Sequence, residues 1–135
     1  MIEKKYFEDI IMDLKKQYPK LRFDLNEEYY DPEKYGKEND YSYHINMLYD
    51  INDVMILCTT IWIDSKAYCE DDIPRVTIDK PMLTYIDENI DKINDKYFES
   101  IGINGVEGLA LVKDCANYFN KTYKKEILKL LRKEN

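Results

Sequence analysis

The sequence predicts an α+β fold: an antiparallel sheet of about four strands with an N-terminal helix and two C-terminal helices packed on it, in the order αβββ(β)αα. Apolar residues recur at three- and four-residue steps at both ends of the chain, and they alternate with polar residues in the middle. Turn-forming residues separate the middle segments. With 135 residues, 44% of them hydrophobic, we expect a single compact domain spanning 1–135.

The N-terminal segment predicts a helix followed by a strand. The helix has its apolar residues on one face and closes before Pro19, because the residue before a proline avoids the α region. Leu21, Phe23 and Leu25 then alternate with polar residues, which is typical of a strand. A long acidic loop is expected over 27–40, where this pattern is lost.

The middle of the chain predicts a β-hairpin. Tyr41, Tyr43 and Tyr49 fall on one face of the first strand and His44 falls on the other. The turn is Asp50-Ile51-Asn52-Asp53, and the apolar run 54–63 follows it. Because this second strand lacks clean alternation, we expect it to be central with both faces covered.

The last third predicts one edge strand and two helices. Arg75 to Asp79 forms the strand, and a second acidic loop precedes it over 64–72. Pro81 is expected to open a helix with Met82, Ile86, Ile90 and Ile93 on its apolar side, ending before Gly102. Asn104 and Glu107 form a capping-box variant for a final helix of about 106–132. Its predicted core residues are Leu109, Val112, Cys115, Phe119, Tyr123, Ile127 and Leu131.

The net charge and the number of cysteines restrict which partners and which cellular compartment we expect for this protein. The net charge is −7, divided between −10 over 1–100 and +3 over 101–135, which disfavours direct binding to nucleic acid or anionic membranes. The cysteines are odd in number, Cys58, Cys69 and Cys115, without C-x-x-C spacing, which favours free thiols in a reducing cytosol. Neither a signal peptide nor a transmembrane segment is recognisable, so we expect a cytoplasmic protein.

Motifs for catalysis, cofactors or metals are weak, so we expect no catalytic residue, no cofactor and no metal. His44 is the only histidine and lacks a recognisable nucleophile motif. The spacing Gly102-x-x-Gly105-x-x-Gly108 fits helix ends and a turn better than a phosphate loop. Cys58 and Cys115 are expected in the core, and the acidic residues beside Cys69 would raise the pKa of its thiol.

Acidic patches that coincide with tyrosines are the clearest functional signal. Tyrosine offers a large contact area at low entropy cost, and carboxylates steer a basic partner. On the helix predicted after Pro81, three aspartates recur every four residues on one stripe, where they repel one another. The predicted partner-binding residues are Tyr29, Tyr30, Asp31, Tyr35, Asp71, Asp87, Asp91 and Asp95.

The segment Glu28-Tyr29-Tyr30-Asp31-Pro32 resembles the acidic segment, with its tyrosine pair and proline, through which colicin nuclease immunity proteins bind their toxin. The likeness covers fewer than ten residues. It implies a similar interface chemistry, in which tyrosines and carboxylates meet a basic protein.

The sequence therefore predicts a small acidic inhibitor that covers a basic partner protein, such as a toxin, a nuclease or another nucleic-acid-binding effector. Immunity proteins, antitoxins and phage-encoded anti-defence proteins, including DNA mimics, act in this way. Three alternatives stay open. They are a small enzyme using His44 with an acid of the Asp50–Asp53 turn, a small-ligand-binding domain, and a homo-oligomer paired through Tyr41, Tyr43 and Tyr49.

Overall fold

The computed structural model describes residues 1–29, 41–65, 73–85 and 95–133. Helix α1 spans Lys4–Gln17 and is followed by strands β1 (Arg22–Tyr29), β2 (Tyr41–Asp50), β3 (Met55–Asp64), β4 (Arg75–Ile78) and β5 (Met82–Tyr85). Helix α2 spans Asp95–Phe119, a π-helical turn follows at Asn120–Lys124, and helix α3 spans Lys125–Arg132.

The strands form one antiparallel sheet, which confirms the predicted α+β fold. The order is β1-β2-β3, and both β4 and β5 pair with β3 on the side away from β2. The hairpin of β2 and β3 is formed as predicted, with Ile45 opposite Ile61. The predicted strand at Arg75 is also present, at an edge of the sheet.

The hydrophobic core lies between one face of the sheet and the helices. The odd-numbered residues of β2, from Tyr41 to Tyr49, are all buried there. Phe7 of α1 packs on Tyr43 with ring centroids 4.5 Å apart, and the Tyr43 hydroxyl donates to the carbonyl of Ile2. From the second half of the chain, Val112 and Phe119 of α2 are fully buried in the same core.

Two predicted boundaries in the first half are wrong. The acidic loop predicted over 27–40 begins too early, because β1 continues through Tyr29, paired with Tyr41. Residues 30–40 lie outside the described residues. Asp64, expected in the second acidic loop, is the last residue of β3, and 66–72 also lie outside the described part.

The helix predicted to open at Pro81 is wrong at its start, because Met82–Tyr85 is strand β5. Between β4 and β5 the pairing register shifts by one residue. Ile78 lies opposite Ile61, whereas Met82 lies opposite Cys58, so that three residues, 79–81, face two on β3. This β-bulge accommodates Pro81 at the sheet edge, where its missing N–H costs little.

The predicted break at Gly102 is also wrong. Helix α2 runs through Gly102, Gly105 and Gly108, and the chain stays helical to Arg132, so the two predicted C-terminal helices form one helical segment in three pieces. Asn104 is therefore no cap, and it donates to the carbonyl of Ile51 instead. Leu109, predicted to lie in the core, is 36% exposed.

Gly108 has a packing role. A Cβ atom at this position would lie 2.4 Å from Cδ1 of Tyr49, so only glycine allows α2 to approach the end of β2 this closely. The Tyr49 hydroxyl donates to Glu107, which also accepts a 2.7 Å bond from Lys20. These contacts hold the first half of α2 against the sheet.

Candidate functional site

The sheet has a second face on which none of the described helices packs. We define the open face as the even-numbered residues of β1, β2 and β3 together with Arg75, Thr77, Asp79, Met82 and Thr84. Burial along β3 alternates strictly between buried odd-numbered and half-buried even-numbered residues. The expectation that both faces of β3 are covered is thus not met by any described element.

An aromatic pair occupies the middle of the open face. His44 and Trp62 are register partners on β2 and β3, and their ring centroids lie 4.1 Å apart with an angle of 55° between the planes. The indole Nε1 of Trp62 donates a 2.7 Å hydrogen bond to Oδ2 of Asp79. The indole is therefore held in one orientation on the sheet surface.

His44 belongs to a hydrogen-bonded chain that ends on a carboxylate. Oγ of Ser42 donates to Oδ1 of Asp64 at 2.5 Å, and Nε2 of His44 lies 3.0 Å from the same Oγ. Because the serine has one proton and Asp64 accepts it, Nε2 of His44 is the donor to Ser42. Oε2 of Glu28 lies 3.8 Å from the same Nε2.

This arrangement does not form a hydrolytic triad. In such a triad the histidine accepts the serine proton, whereas here the proton of Ser42 is directed to Asp64 and Ser42 is fully buried. An acid of the Asp50–Asp53 turn was expected to work with His44. Asp50, the nearer of the two in sequence, lies six residues further along β2 and forms a two-point ion pair with Arg22, at 2.8 and 2.9 Å. The structure does not bring His44 and Asp50 together.

The open face is acidic around its aromatic centre. The open face carries five carboxylates and two guanidinium groups. The carboxylates are Asp24, Glu28, Asp50, Asp64 and Asp79, and the guanidinium groups are Arg22 and Arg75. Asp50 forms an ion pair with Arg22 on this face. Apolar side chains continue the surface toward the opposite end of the sheet: Leu48, Ile56, Cys58 and Met82, the last of them 63% exposed.

Only one residue of the predicted partner-binding set has a described side chain. Tyr29 ends β1 and is 49% exposed, and its hydroxyl donates to Glu27 at 2.7 Å. Its hydrogen bond to Tyr43, burial and Glu27 all raise the pKa of the Tyr29 phenol. Asp95 is the first residue of α2. The remaining residues lie outside the described ranges: Tyr30, Asp31, Tyr35, Asp71, Asp87 and Asp91.

The predicted aspartate stripe lies mostly outside the described residues. Residues 82–85 are strand β5, so the helix does not open at Pro81, and α2 is described from Asp95 onward. Asp87 and Asp91 fall between these two elements, outside the described ranges, so the stripe stays a prediction. The alternative of a homo-oligomer paired through Tyr41, Tyr43 and Tyr49 is not supported, because these three tyrosines are buried beneath the helices. That stripe is not available for pairing between subunits.

The thiols offer no nucleophile among the described residues. Burial raises the pKa of Cys115 to about 12, and burial likewise raises the pKa of Cys58, which lies half-buried on the open face. Cys69 lies outside the described part of the chain. Within the described ranges no group of three or more His, Cys, Asp or Glu side chains is placed to hold a metal ion.

Sequence reasoning missed Trp62 and Asp79, the centre of the open face. The signal for Trp62 was present, because a hairpin turning at Asp50–Asp53 places it opposite His44. The contact with Asp79 could not be predicted, because it depends on how β4 pairs with β3 and on the bulge that follows.

Comparisons with known proteins identify no relative: no family model, no curated protein and no solved structure matches this chain. None of the described helices is both long and apolar enough to cross a membrane.

Proposed function

We propose that this protein binds a basic partner protein through the open face of its sheet and inhibits that partner by covering its surface. The observation that carries the proposal is the Trp62–His44 pair, set among carboxylates on a sheet face that no described element covers. The classes of protein that act in this way include immunity proteins, antitoxins and anti-defence proteins.

The charge of the open face favours a basic partner. Its five carboxylates exceed its two arginines, and Arg22 is paired with Asp50 within the face. Such a surface accelerates the approach of a positively charged protein and repels acidic ones. It also repels nucleic acid, so the partner is a protein and direct binding to DNA or RNA is not part of the proposal.

The apolar residues of β3 favour a contact surface over a solvated one. Ile56, Cys58 and Trp62 point to the open face, where a strand exposed to water would carry polar residues. An aromatic centre with a polar rim is the usual composition of protein interfaces. An arginine of the partner that stacks on the face of Trp62 would also gain a cation–π interaction, and Asp64 and Asp79 flank that position.

Tyr29 extends this surface around the edge of the sheet. It follows Glu28 at the end of the edge strand β1 and is half-exposed on the other side of that strand. We also propose that Tyr30, Asp31 and Tyr35, which follow Tyr29 in the chain, contact the partner. For these three residues the proposal rests on the sequence alone. We also place the protein in a reducing compartment such as the cytoplasm, which the free thiols of Cys58 and Cys115 support.

The test compares two charge-matched variants in affinity capture from a lysate of the native host, read by mass spectrometry at low and moderate salt. Asp24→Asn with Glu28→Gln neutralises two acids on the open face, and Glu8→Gln with Asp9→Asn neutralises two on α1. Both double variants change the net charge from −7 to −5. The proposal predicts one basic protein captured by the parent chain and the α1 variant, and lost with the open-face variant.

Equal capture by both variants would contradict the proposal: equal loss would mean that binding depends on overall charge, and equal retention would mean that it does not depend on the acids of the open face. A second variant, Trp62→Ala, examines the centre of the face. We expect it to weaken binding by about 2 kcal/mol or more, as truncation of a central interface aromatic does. A melting curve of the same variant shows whether the fold is retained.

A further inference from the structure

A cleft on the opposite side of the sheet lies between the β4–β5 edge and helix α2. Its volume is about 340 Å³, which falls in the range of sites for small molecules. Ile78 and Pro81 form its wall on the sheet side, and Val112 and Ala116 form the apolar part of the helix wall. The cleft is separate from the open face and does not depend on the proposed partner.

Two irregularities of the backbone meet at this cleft. On the sheet side is the bulge at 79–81, where the edge chain contains one residue more than β3. On the helix side, Asn120 lines the cleft and is the first residue of the π-helical turn. Bulges and π-turns both interrupt regular hydrogen bonding and are concentrated at functional sites.

Four of the six polar residues that line the cleft are lysines or asparagines, and the other two are Thr59 and Asp79. Lys80 from the bulge and Lys113 from α2 line it from opposite walls, and neither forms an ion pair within the described part of the chain. Asn117 and Asn120 follow Lys113 at helical spacing on the same wall. The carboxylate of Asp79 is directed to Trp62 on the open face, and its carbonyl accepts from Thr59.

We propose that this cleft binds a small organic anion, with its phosphate or carboxylate group between Lys80 and Lys113 and its apolar part against Ala116 and Pro81. Two opposed ammonium groups supply charge-assisted hydrogen bonds to anionic oxygens, and the asparagine side chains add neutral donors. The helix wall belongs to 101–135, a segment with a net charge of +3 in a chain whose net charge is −7. The apolar walls favour an organic anion over an inorganic one.

The test uses phenyl phosphate, benzoate and inorganic phosphate as probes, followed by amide chemical shifts in ¹H–¹⁵N spectra of the full chain. We expect phenyl phosphate or benzoate to shift the amides of Lys80, Lys113, Asn117 and Asn120 in a saturable way, and inorganic phosphate to bind more weakly. The relative affinities of phenyl phosphate and benzoate then identify the preferred anionic group.

Lys80→Gln and Lys113→Gln should each weaken this binding about tenfold, as expected for the loss of one charge-assisted hydrogen bond. Lys125→Gln is the control, because Lys125 is an exposed lysine of the same helical segment outside the cleft. The proposal is overturned if neither organic probe shifts these amides at millimolar concentration. It is equally overturned if the control variant weakens binding as much as the cleft variants do.

Discussion

The hydrogen bond from Trp62 to Asp79 connects the two faces of the sheet edge. The side chain of Asp79 accepts from the indole on the open face, while its backbone carbonyl accepts a 2.6 Å bond from Thr59, whose side chain is on the helix-facing side. Asp79 is also the first residue of the bulge. One residue thus orients the aromatic centre of the open face and fixes the start of the irregular edge.

Asp79→Ala should release the indole without unfolding the protein. Since the chain contains one tryptophan, its indole N–H gives a single assigned resonance. We expect that resonance to move upfield and the stability to fall by about 1 kcal/mol, the order expected for one partly exposed charge-assisted bond. Asp24→Ala is the control, with an unchanged indole resonance. An indole resonance that stays in place in the Asp79 variant would show that the bond does not hold the ring.

Gly108→Ala should destabilise the fold, and Gly102→Ala should not. A methyl group at 108 would lie 2.4 Å from the ring of Tyr49, whereas a methyl group at 102 would meet no atom within 4 Å. We expect a loss of about 1–3 kcal/mol at 108 from overpacking. At 102 we expect a gain of about 0.5–1 kcal/mol, because alanine has the higher helix propensity. Denaturant unfolding of both variants measures the contrast, and equal effects would refute the close packing.

Asp13 couples α1 to the end of α2 in a pH-dependent way. The hydroxyls of Tyr118 and Tyr123 both donate to its carboxylate, the former at 2.6 Å, and they lower the pKa of Asp13 below its usual value. Residues five apart on an α-helix lie about 140° apart, so the π-turn is what allows both tyrosines to reach one carboxylate.

Because the folded pKa of Asp13 is depressed, its stabilisation is present above the unfolded carboxyl pKa of about 3.9 and is lost as pH falls through the folded value. Asp13→Asn should cost about 1 kcal/mol near pH 7, because solvent screens a carboxylate that is only partly buried. The difference from the parent chain should narrow below about pH 4. Asp9→Asn, on the exposed side of the same helix, should change stability little at any pH. A difference for Asp13→Asn that stays constant with pH would contradict this account.

Cys115 should resist alkylation in the folded protein. Burial raises its thiol pKa to about 12, so very little thiolate forms at pH 8. Cys58, half-buried with a raised pKa, should react slowly but faster than Cys115. Iodoacetamide labelling followed by peptide mass spectrometry measures both rates, with the protein unfolded in guanidinium as reference. Labelling of Cys115 at the unfolded rate would show that the core is not packed as described.

The strands that could be predicted from the sequence are those in which apolar and polar residues alternate within one short stretch of the chain. The alternation from Tyr41 to Tyr49 and the turn after it are sufficient to define the hairpin. Strand β5 was missed because Met82 and the isoleucines after it also fit helical spacing, and Pro81 fits both a helix start and a sheet edge. The helix through Gly102 and Gly105 was missed because the low helix propensity of glycine favours a break, whereas the structure is helical at both residues.

The candidate site was predictable only in part. The outward direction of His44 followed from alternation, and the structure confirms it on the open face. Trp62 was assigned to a strand covered on both sides because the outward residues of β3 are apolar. A sequence cannot by itself show whether such residues meet the protein's own helices or are left for a partner, since that depends on where the helices pack.

The most direct test of the central claim is the signal of the single tryptophan when the captured basic partner is added. We expect the Trp62 indole resonance and fluorescence to change in a saturable way, with the same affinity that calorimetry gives for the complex. The affinity should fall as salt rises, because carboxylates steer the contact. A complex that forms by calorimetry while the Trp62 signal stays unchanged would place the interface elsewhere and contradict the account.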